Sequence, residues 1–204
     1  MLLAPPIKSP KLLLHSCCAP CSSAIIECLL QNDIRPTVFY FNPNIFPIEE
    51  YITRKEEAKR YVHALGLDFV DADYDHHSWR QGIAGLEQEP ERGARCEQCF
   101  FLRLSGTARY AAEHGFNLFT TTLASSRWKN LDQIFWAGEQ AQKLFPSTLF
   151  WAQNWRKGGL QQRRQEIIRS FNFYNQNYCG CEFSIRLEQT ADNEKVQEKE
   201  KGKA

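Results

Sequence analysis

Seven of the eight cysteines stand in three short groups whose spacing suits metal binding or redox chemistry. In a reducing compartment, grouped thiols serve as metal ligands, catalytic groups or buried core residues rather than as a disulfide framework. The isolated Cys28 is interpreted as an ordinary buried thiol inside a helix. The groups are Cys17-Cys18-x-x-Cys21, Cys96-x-x-Cys99 and Cys179-x-Cys181.

The first group lies at a predicted turn from a strand into a helix. It belongs to the stretch His15-Ser16-Cys17-Cys18-Ala19-Pro20-Cys21, which follows an apolar run typical of a buried strand. Pro20 suits the first turn of a helix, where its missing N–H costs nothing. Backbone N–H groups and the positive end of the helix dipole at such a turn favour anions. We therefore expect the thiols here to ionise more easily than free cysteine.

The second group begins another predicted helix. If that helix packs beside the first turn, four thiolates meet in one pocket, namely those of Cys17, Cys18, Cys96 and Cys99. Four thiolates suit either zinc or an iron–sulfur cluster. Adjacent cysteines do not easily close on one tetrahedral ion, which favours the larger cluster. Simple burial of the thiols, or a zinc ion that only stabilises the fold, is the alternative.

The third group, Cys179-Gly180-Cys181, is a different kind of pair. A disulfide between residues two apart closes a small, strained ring, and strained disulfides are the easily reduced ones. Gly180 supplies the unusual backbone angles that such a ring needs. The sequence therefore predicts dithiol–disulfide cycling at Cys179 and Cys181, with further metal ligation by both thiols as the alternative.

A basic stretch precedes this pair, from Arg156 to Arg169, with aromatic residues interleaved. Such a stretch contacts phosphates and stacks on bases in some RNA-binding proteins. In many other proteins it is a solvated helix face whose aromatic residues belong to the core, and the sequence leaves both interpretations open. The aromatic residues are Trp155, Phe171, Phe173 and Tyr174.

The elements that must position these groups alternate between strands and helices. This alternation predicts an α/β fold, a Rossmann-like parallel sheet with flanking helices, whose functional loops lie at the carboxyl ends of the strands near the switch in strand order. We expect a single domain over 11–186, after a loosely held lead-in of 1–10 and before a disordered charged tail of 187–204. Strands are predicted at 11–15, 34–41, 67–72, 118–123 and 148–152, and helices at 20–31, 49–65, 95–114, 131–144 and 160–174, with a short helix inside a loop at 74–94.

Composition and charge narrow the class of protein. With 43% hydrophobic and 24% charged residues among 204, the chain is an ordinary globular domain. A net charge of +1 means that any contact with RNA must come from a local basic face. No stretch has the apolar length of a membrane span or the pattern of a signal peptide, so we expect a cytoplasmic protein without a membrane partner.

Taken together, these motifs resemble those of the QueH family of epoxyqueuosine reductases, the cobalamin-independent enzymes of queuosine synthesis in tRNA. They extend over nearly the whole ordered chain, and their combination is far more specific than any single C-x-x-C motif. The matching pieces are His15-Ser16-Cys17-Cys18-Ala19-Pro20-Cys21, Asn42-Pro43-Asn44-Ile45 with Glu50-Tyr51, Arg95-Cys96-x-x-Cys99-Phe100, Phe119-Thr120-Thr121-Thr122-Leu123 and Tyr178-Cys179-Gly180-Cys181.

The resemblance implies a fold related to adenine-nucleotide α-hydrolases. It also implies a [4Fe–4S] cluster, carried onto Cys17, Cys18, Cys96 and Cys99 of this sequence. An additional iron or zinc ion beside the cluster is a further implication, and Cys21 is the nearest thiol that the cluster does not claim.

The activity that the resemblance implies is the reduction of the epoxide of epoxyqueuosine in tRNA to the alkene of queuosine, the last step of that pathway. Cys179 and Cys181 would form the redox-active pair that relays electrons. The implied partners are the anticodon region of a queuosine-pathway tRNA and an electron donor that the sequence does not identify.

Two other classes of function are considered. An ATP-dependent tRNA-modifying enzyme needs a glycine-rich loop after the first strand to hold phosphates, and the stretch from Ser16 to Cys21 contains no glycine. A zinc-stabilised RNA-binding module without catalysis is the other alternative, and it would purify colourless instead of absorbing broadly in the visible range.

Overall fold

The computed structural model describes residues 1–8 and 10–185. The predicted tail of 187–204 lies outside the described residues. The chain forms five strands and six helices within the described part, which alternate except for one pair of consecutive helices. They are β1 (Leu12–His15), α1 (Ala19–Leu30), β2 (Thr37–Tyr40), α2 (Ile48–Ala64), β3 (Phe69–Asp71), α3 (His76–Gly82), α4 (Ala94–Glu113), β4 (Leu118–Thr121), α5 (Leu131–Leu144), β5 (Leu149–Phe150) and α6 (Leu160–Phe171).

All five strands join one parallel sheet in the order β3-β2-β1-β4-β5. The chain builds one half of the sheet outward from β1 to β3 and then returns to place β4 on the other side of β1. The strand order therefore reverses between β1 and β4, and ligands of such sheets bind outside the carboxyl ends of the strands at that point. The α/β fold with a parallel sheet and flanking helices is confirmed.

Several elements are shorter than the sequence predicts. β2 begins at Thr37 rather than Ile34, because Pro36 has no N–H to donate to the sheet. β4 ends at Thr121 rather than Leu123. There the Thr121 hydroxyl accepts from Leu123 N at 3.1 Å and starts a 3₁₀ turn over Thr122–Ser125.

The core lies on both faces of the sheet. The three leucines of β1 are fully buried, as expected for a central strand covered on both sides. Cys28 packs in this core, as predicted. On α2 the side chains of Tyr51, Ala58, Tyr61 and Val62 are buried, and Arg54 is buried among them.

None of the helices within the described residues combines the length and the apolar character needed to cross a membrane.

Candidate active site

A pocket of about 830 Å³ opens at the carboxyl ends of the central strands. Its walls come from the turns that follow β1, β2 and β4, from the start of α4, from α6 and from the segment after α6. Six of the eight cysteines line it, contributed by all three groups that the sequence singles out. They are Cys17, Cys18, Cys21, Cys96, Cys179 and Cys181.

Three of these thiols form a compact group at the start of α1. The sulfur atoms of Cys17, Cys18 and Cys21 all lie within 4.8 Å of one another. Cys18 caps the helix with extended backbone (φ −176°), and the proline that follows is in the first turn, as predicted. Thiol sulfur atoms are the ligands that zinc, iron and iron–sulfur clusters prefer, and three of them lie close enough together here to bind one metal centre.

Neighbouring side chains hold this triad in place. Thr122, just beyond β4, uses its hydroxyl twice: the oxygen accepts from Cys17 N at 3.1 Å, and the hydroxyl donates to Cys17 Sγ at 3.3 Å. From the other wall, Gln176 Nε2 donates to Cys18 Sγ at 2.9 Å. The neighbouring strand β4 thus fixes the turn that follows β1.

The three thiols differ in acidity although they share one site. Hydrogen bonds from the Cys18 and Cys21 thiols hold the pKa of Cys17 well below its usual range. Burial raises the pKa of Cys18, and the hydrogen bond to Cys17 raises the pKa of Cys21 to about 11. Cys17 is therefore the thiol that carries the negative charge first. The prediction that the thiols of this turn ionise more easily than free cysteine holds for Cys17 and is wrong for Cys18 and Cys21, whose pKa values are raised.

A buried polar layer lies beneath the triad. His15 Nε2 donates to the Phe41 carbonyl at 3.1 Å, so its Nδ1 accepts from the Thr121 hydroxyl at 2.8 Å. Burial, with Arg103 nearby, lowers the pKa of His15 to about 3, which keeps the ring neutral. Asn42 joins this layer to the pocket, because it donates to the Ser16 carbonyl and accepts from Arg103.

Cys96 and Cys99 lie one turn apart at the start of α4. Arg92 N donates to Cys96 Sγ at 3.2 Å, and Trp79 Nε1 donates to Cys99 Sγ at 3.4 Å. Cys96 lines the pocket, whereas Cys99 is buried behind it, where burial raises its pKa to about 12. The structure thus brings both helix starts to one pocket, but the compact group contains Cys21 and neither Cys96 nor Cys99.

The Cys179-Gly180-Cys181 turn forms another wall of the pocket. Gly180 has φ +120°, a conformation that only glycine adopts without strain. Its carbonyl accepts from Phe46 N at 2.8 Å, and Cys181 Sγ donates to Ser184 Oγ at 3.4 Å. Cys181 also packs against Cys99 and Trp79. The third group is therefore next to the second.

The lining of the pocket is strongly cationic. Seven arginine and lysine residues face it against the single carboxylate of Glu91. Burial lowers the pKa of Lys129, whereas the nearby thiols of Cys179, Cys17 and Cys21 raise it through the negative charge that each carries when ionised, and the net pKa lies above its ordinary value. This lysine therefore stays charged and couples the first and third cysteine groups. The cationic residues are Arg54, Arg92, Arg95, Arg103, Arg127, Lys129 and Arg164.

The basic stretch after β5 supports both interpretations, because some of its residues belong to the core or the outer surface and others line the pocket. Trp155 is 0% exposed and Phe173 is buried, so both belong to the core. Arg163 forms ion pairs with Glu27 and Glu166 on the outer surface. Arg164, in contrast, lines the pocket and donates to the Pro20 carbonyl at 2.9 Å, in the turn that carries the triad.

Sequence reasoning did not single out the polar residues that support the thiols. Arg54, Arg103, Thr122, Lys129 and Gln176 come from four separate segments, and only Thr122 lies in one of the motifs named above, which gave it no role. The signal that was available is weak. Arg54 follows Glu50 by four residues, the spacing of an ion pair on one helix face, and Thr122 ends a run of threonines at the close of a strand.

Comparison with known proteins gives the family of this chain. The model of the family described as "Epoxyqueuosine reductase QueH" matches residues 12–187. The chain is 48% identical to the Epoxyqueuosine reductase QueH of Haemophilus influenzae over 176 residues, which is 86% of this chain and 72% of that protein. It is 46% identical to the protein of the same name from Acinetobacter baylyi over 181 residues, 89% of this chain and 83% of that protein.

A more distant relative carries the same name. The Epoxyqueuosine reductase QueH of Thermotoga maritima is 32% identical over 176 residues, 85% of this chain and 89% of that protein. The matched region contains all three cysteine groups and the whole sheet. From the span of the family match and the identity to these relatives, we conclude that this chain belongs to the QueH family of epoxyqueuosine reductases.

Proposed function

We propose that this pocket reduces the epoxide of epoxyqueuosine in tRNA to the alkene of queuosine, the last step of queuosine synthesis. The observation that carries the proposal is the meeting of three cysteine groups on one pocket, at the point where the strand order reverses. Membership of the QueH family supports it.

The metal centre is the second part of the proposal. Cys17, Cys18, Cys96 and Cys99 would hold a [4Fe–4S] cluster, and Cys21 is the thiol available to an additional iron or zinc ion. The short distances within the triad and the position of Cys96 on the same pocket support this assignment. When bound, the centre supplies electrons and a Lewis acid for the epoxide oxygen.

Cys179 and Cys181 are the proposed electron relay. Conversion of an epoxide to an alkene and water takes up two electrons and two protons. A dithiol that closes to a disulfide releases the same number of each, so the atoms and electrons balance. An external electron donor must then reduce the disulfide for the next turnover. Support comes from the placement of Cys179 on the pocket wall and from Gly180, whose φ permits the tight turn.

The charged residues of the pocket have a defined part in this reaction. Lys129 remains protonated and faces thiols of both the triad and the relay. A partly buried ammonium group donates hydrogen bonds to developing negative charge more strongly than water does, because less solvent screens it. We assign Lys129 to the departing oxygen, with Arg103 keeping a positive charge beneath the triad.

The alternatives lose support from the same geometry. The turn after β1, where a nucleotide-binding domain would hold phosphates, is occupied by three thiols instead of glycine N–H groups. A purely structural zinc site would also leave the Cys179-Gly180-Cys181 turn and its cationic surroundings without a role.

The decisive experiment uses iron-reconstituted protein under anaerobic conditions. Epoxyqueuosine-containing tRNA and a chemical reductant are added, and the nucleosides are analysed by mass. We expect queuosine to form over many turnovers, and protein with broad absorbance in the visible range that is lost when Cys17 or Cys96 is replaced with serine. Failure to form queuosine with iron-loaded protein would overturn the proposal, and colourless protein carrying only zinc would favour the RNA-binding alternative.

A further inference from the structure

The mouth of the pocket carries an exposed tryptophan. Trp128 is 79% exposed, more than any other aromatic residue in the described part of the chain. It stands between Arg127 and Lys129 in the loop that follows β4, and all three line the pocket. A single exposed indole is not unusual in itself, but one that lines a pocket between two cationic residues is placed to stack on a bound ligand.

The loop that carries Trp128 is held in position. Arg92 Nε donates to the Trp128 carbonyl at 2.9 Å, and Arg156 Nη2 donates to the Lys129 carbonyl at 2.8 Å. Gln133 of α5 donates in turn to the Arg92 carbonyl at 2.9 Å. Two separate segments therefore hold the backbone at Trp128 and Lys129, and Gln133 holds one of those segments in turn, so that the indole projects from a supported loop.

The same loop gathers positive charge that carboxylates do not neutralise. Within the described residues, Arg92, Arg127 and Arg156 form no ion pair with a carboxylate, unlike Arg163 on the outer surface. Burial, together with the charges of Arg92 and Arg127, lowers the pKa of Arg156, and the smaller opposing effect of Asp132 does not offset them. The Arg156 Nε atom is buried and has no hydrogen-bond partner in the described part. Like charges held together in this way favour a polyanion.

We propose that Arg92, Arg127 and Trp128 form a rim that binds the single-stranded RNA next to the reacting nucleotide, with a base stacked on Trp128 and phosphates on the two arginines. This inference rests on the proposed function, because it takes the nucleotide in the pocket to be part of an RNA. Unpaired bases of RNA stack on aromatic rings and arginine planes, and the backbone follows positive charge. An acidic electron-donor protein would use the arginines but not an indole at the entrance of the substrate pocket.

The test is binding of a labelled RNA stem-loop that carries epoxyqueuosine in its loop. Fluorescence anisotropy with anaerobic, iron-loaded protein gives the Kd at several salt concentrations. We expect W128A to raise the Kd by about fivefold or more and W128F to retain most of the affinity, since a phenyl ring still stacks. R127A should raise the Kd and reduce the slope of log K against log salt by roughly 0.7, the share of one phosphate on a single strand.

Two variants serve as matched controls. Trp136 is 42% exposed on α5 and Arg109 is exposed on α4, and neither lines the pocket. W136A and R109A should bind the RNA as the parent does. The rim is wrong if W128A and R127A also bind within about twofold of the parent with an unchanged salt slope. Such a result, combined with slower reduction by a protein electron donor, would assign the arginines to that donor instead.

Failure of the rim and failure of the proposed function give different results. Turnover of the same RNA by the parent protein tests the reaction, whereas the Kd of the variants tests the surface. Normal formation of queuosine by the parent, with no effect of W128A on Kd, would overturn the rim alone.

Discussion

Arg54 holds the turn of the proposed redox pair, because its Nη1 donates to the Cys179 carbonyl at 3.2 Å. Its Nη2 reaches the Tyr178 carbonyl at 3.4 Å, and the guanidinium is paired with Glu50 at 2.6 Å. The Arg54 side chain is only 3% exposed. An ion pair on the second helix therefore shapes a turn that is more than a hundred residues away in the chain.

Replacement of Arg54 should loosen this turn. R54M removes the ion-pair partner of Glu50, whose side chain is only 12% exposed and keeps a hydrogen bond from Tyr174. Loss of one member of a fully buried pair costs about 3–5 kcal/mol of the free energy of unfolding, so we expect a loss toward the lower end of that range. We also expect faster alkylation of Cys179, measured by mass spectrometry. K55M changes the same helix and removes the more exposed ion pair between Lys55 and Asp71 of β3. It should lower the free energy of unfolding by less than about 1 kcal/mol. Equal stability and equal alkylation in the two variants would contradict the role of Arg54.

Gly180 should not tolerate a side chain. A Cβ there would lie 3.0 Å from Arg54 Nη1, and φ is +120°. We expect G180A to lower the free energy of unfolding by about 1–3 kcal/mol and to reduce turnover strongly. G85A is the control, since Gly85 also has positive φ but nothing lies within 4 Å of its added Cβ. G85A should lose stability but keep the turnover of the parent. Equal turnover in G85A and G180A would therefore contradict the importance of the Gly180 turn.

Serine variants should distinguish the cysteines of the proposed electron relay from those that are proposed to bind the metal. C179S and C181S should keep the iron content of the parent but lose multiple turnover, because the dithiol can no longer close. C17S, C18S, C96S and C99S should lose iron and sulfide. C28S, which changes a core thiol outside the pocket, should keep both. Full multiple turnover by C179S and C181S would rule out the relay.

The pH dependence of stability should report the buried histidine. The pKa of His15 falls from 6.5 to about 3 on folding. The unfolded chain then binds a proton that the folded chain does not bind, so the contribution of His15 to stability is complete above pH 6.5 and is lost as the pH falls toward 3. The expected slope from this residue is about 1.4 kcal/mol per pH unit in that window. Urea unfolding of metal-free protein and of H15Q between pH 7 and pH 4 measures it, and parallel profiles would contradict the assignment.

The three cysteine groups show which features of the site can be predicted from the sequence. The type and spacing of the cysteines, the buried strand before Cys17 and the helix start at Pro20 are local properties, so the strand-to-helix turn and the parallel α/β sheet could be predicted and are confirmed. The ligand set of Cys17, Cys18, Cys96 and Cys99 and the relay stay predictions, because they depend on what is bound.

The role of Cys21 could not be read from spacing. On a helix, Cys18 and Cys21 share a face, but whether Cys17 also turns toward them depends on the extended backbone of Cys18 and on the hydrogen bonds from Thr122. The sequence of this protein by itself determined which elements form and which ends of them carry thiols, because periodicity and capping act over a few residues. Only the tertiary structure decided that Arg54, Thr122, Lys129 and Trp128 surround those thiols, because the burial of the sheet, and no local preference, brings those distant segments to one pocket.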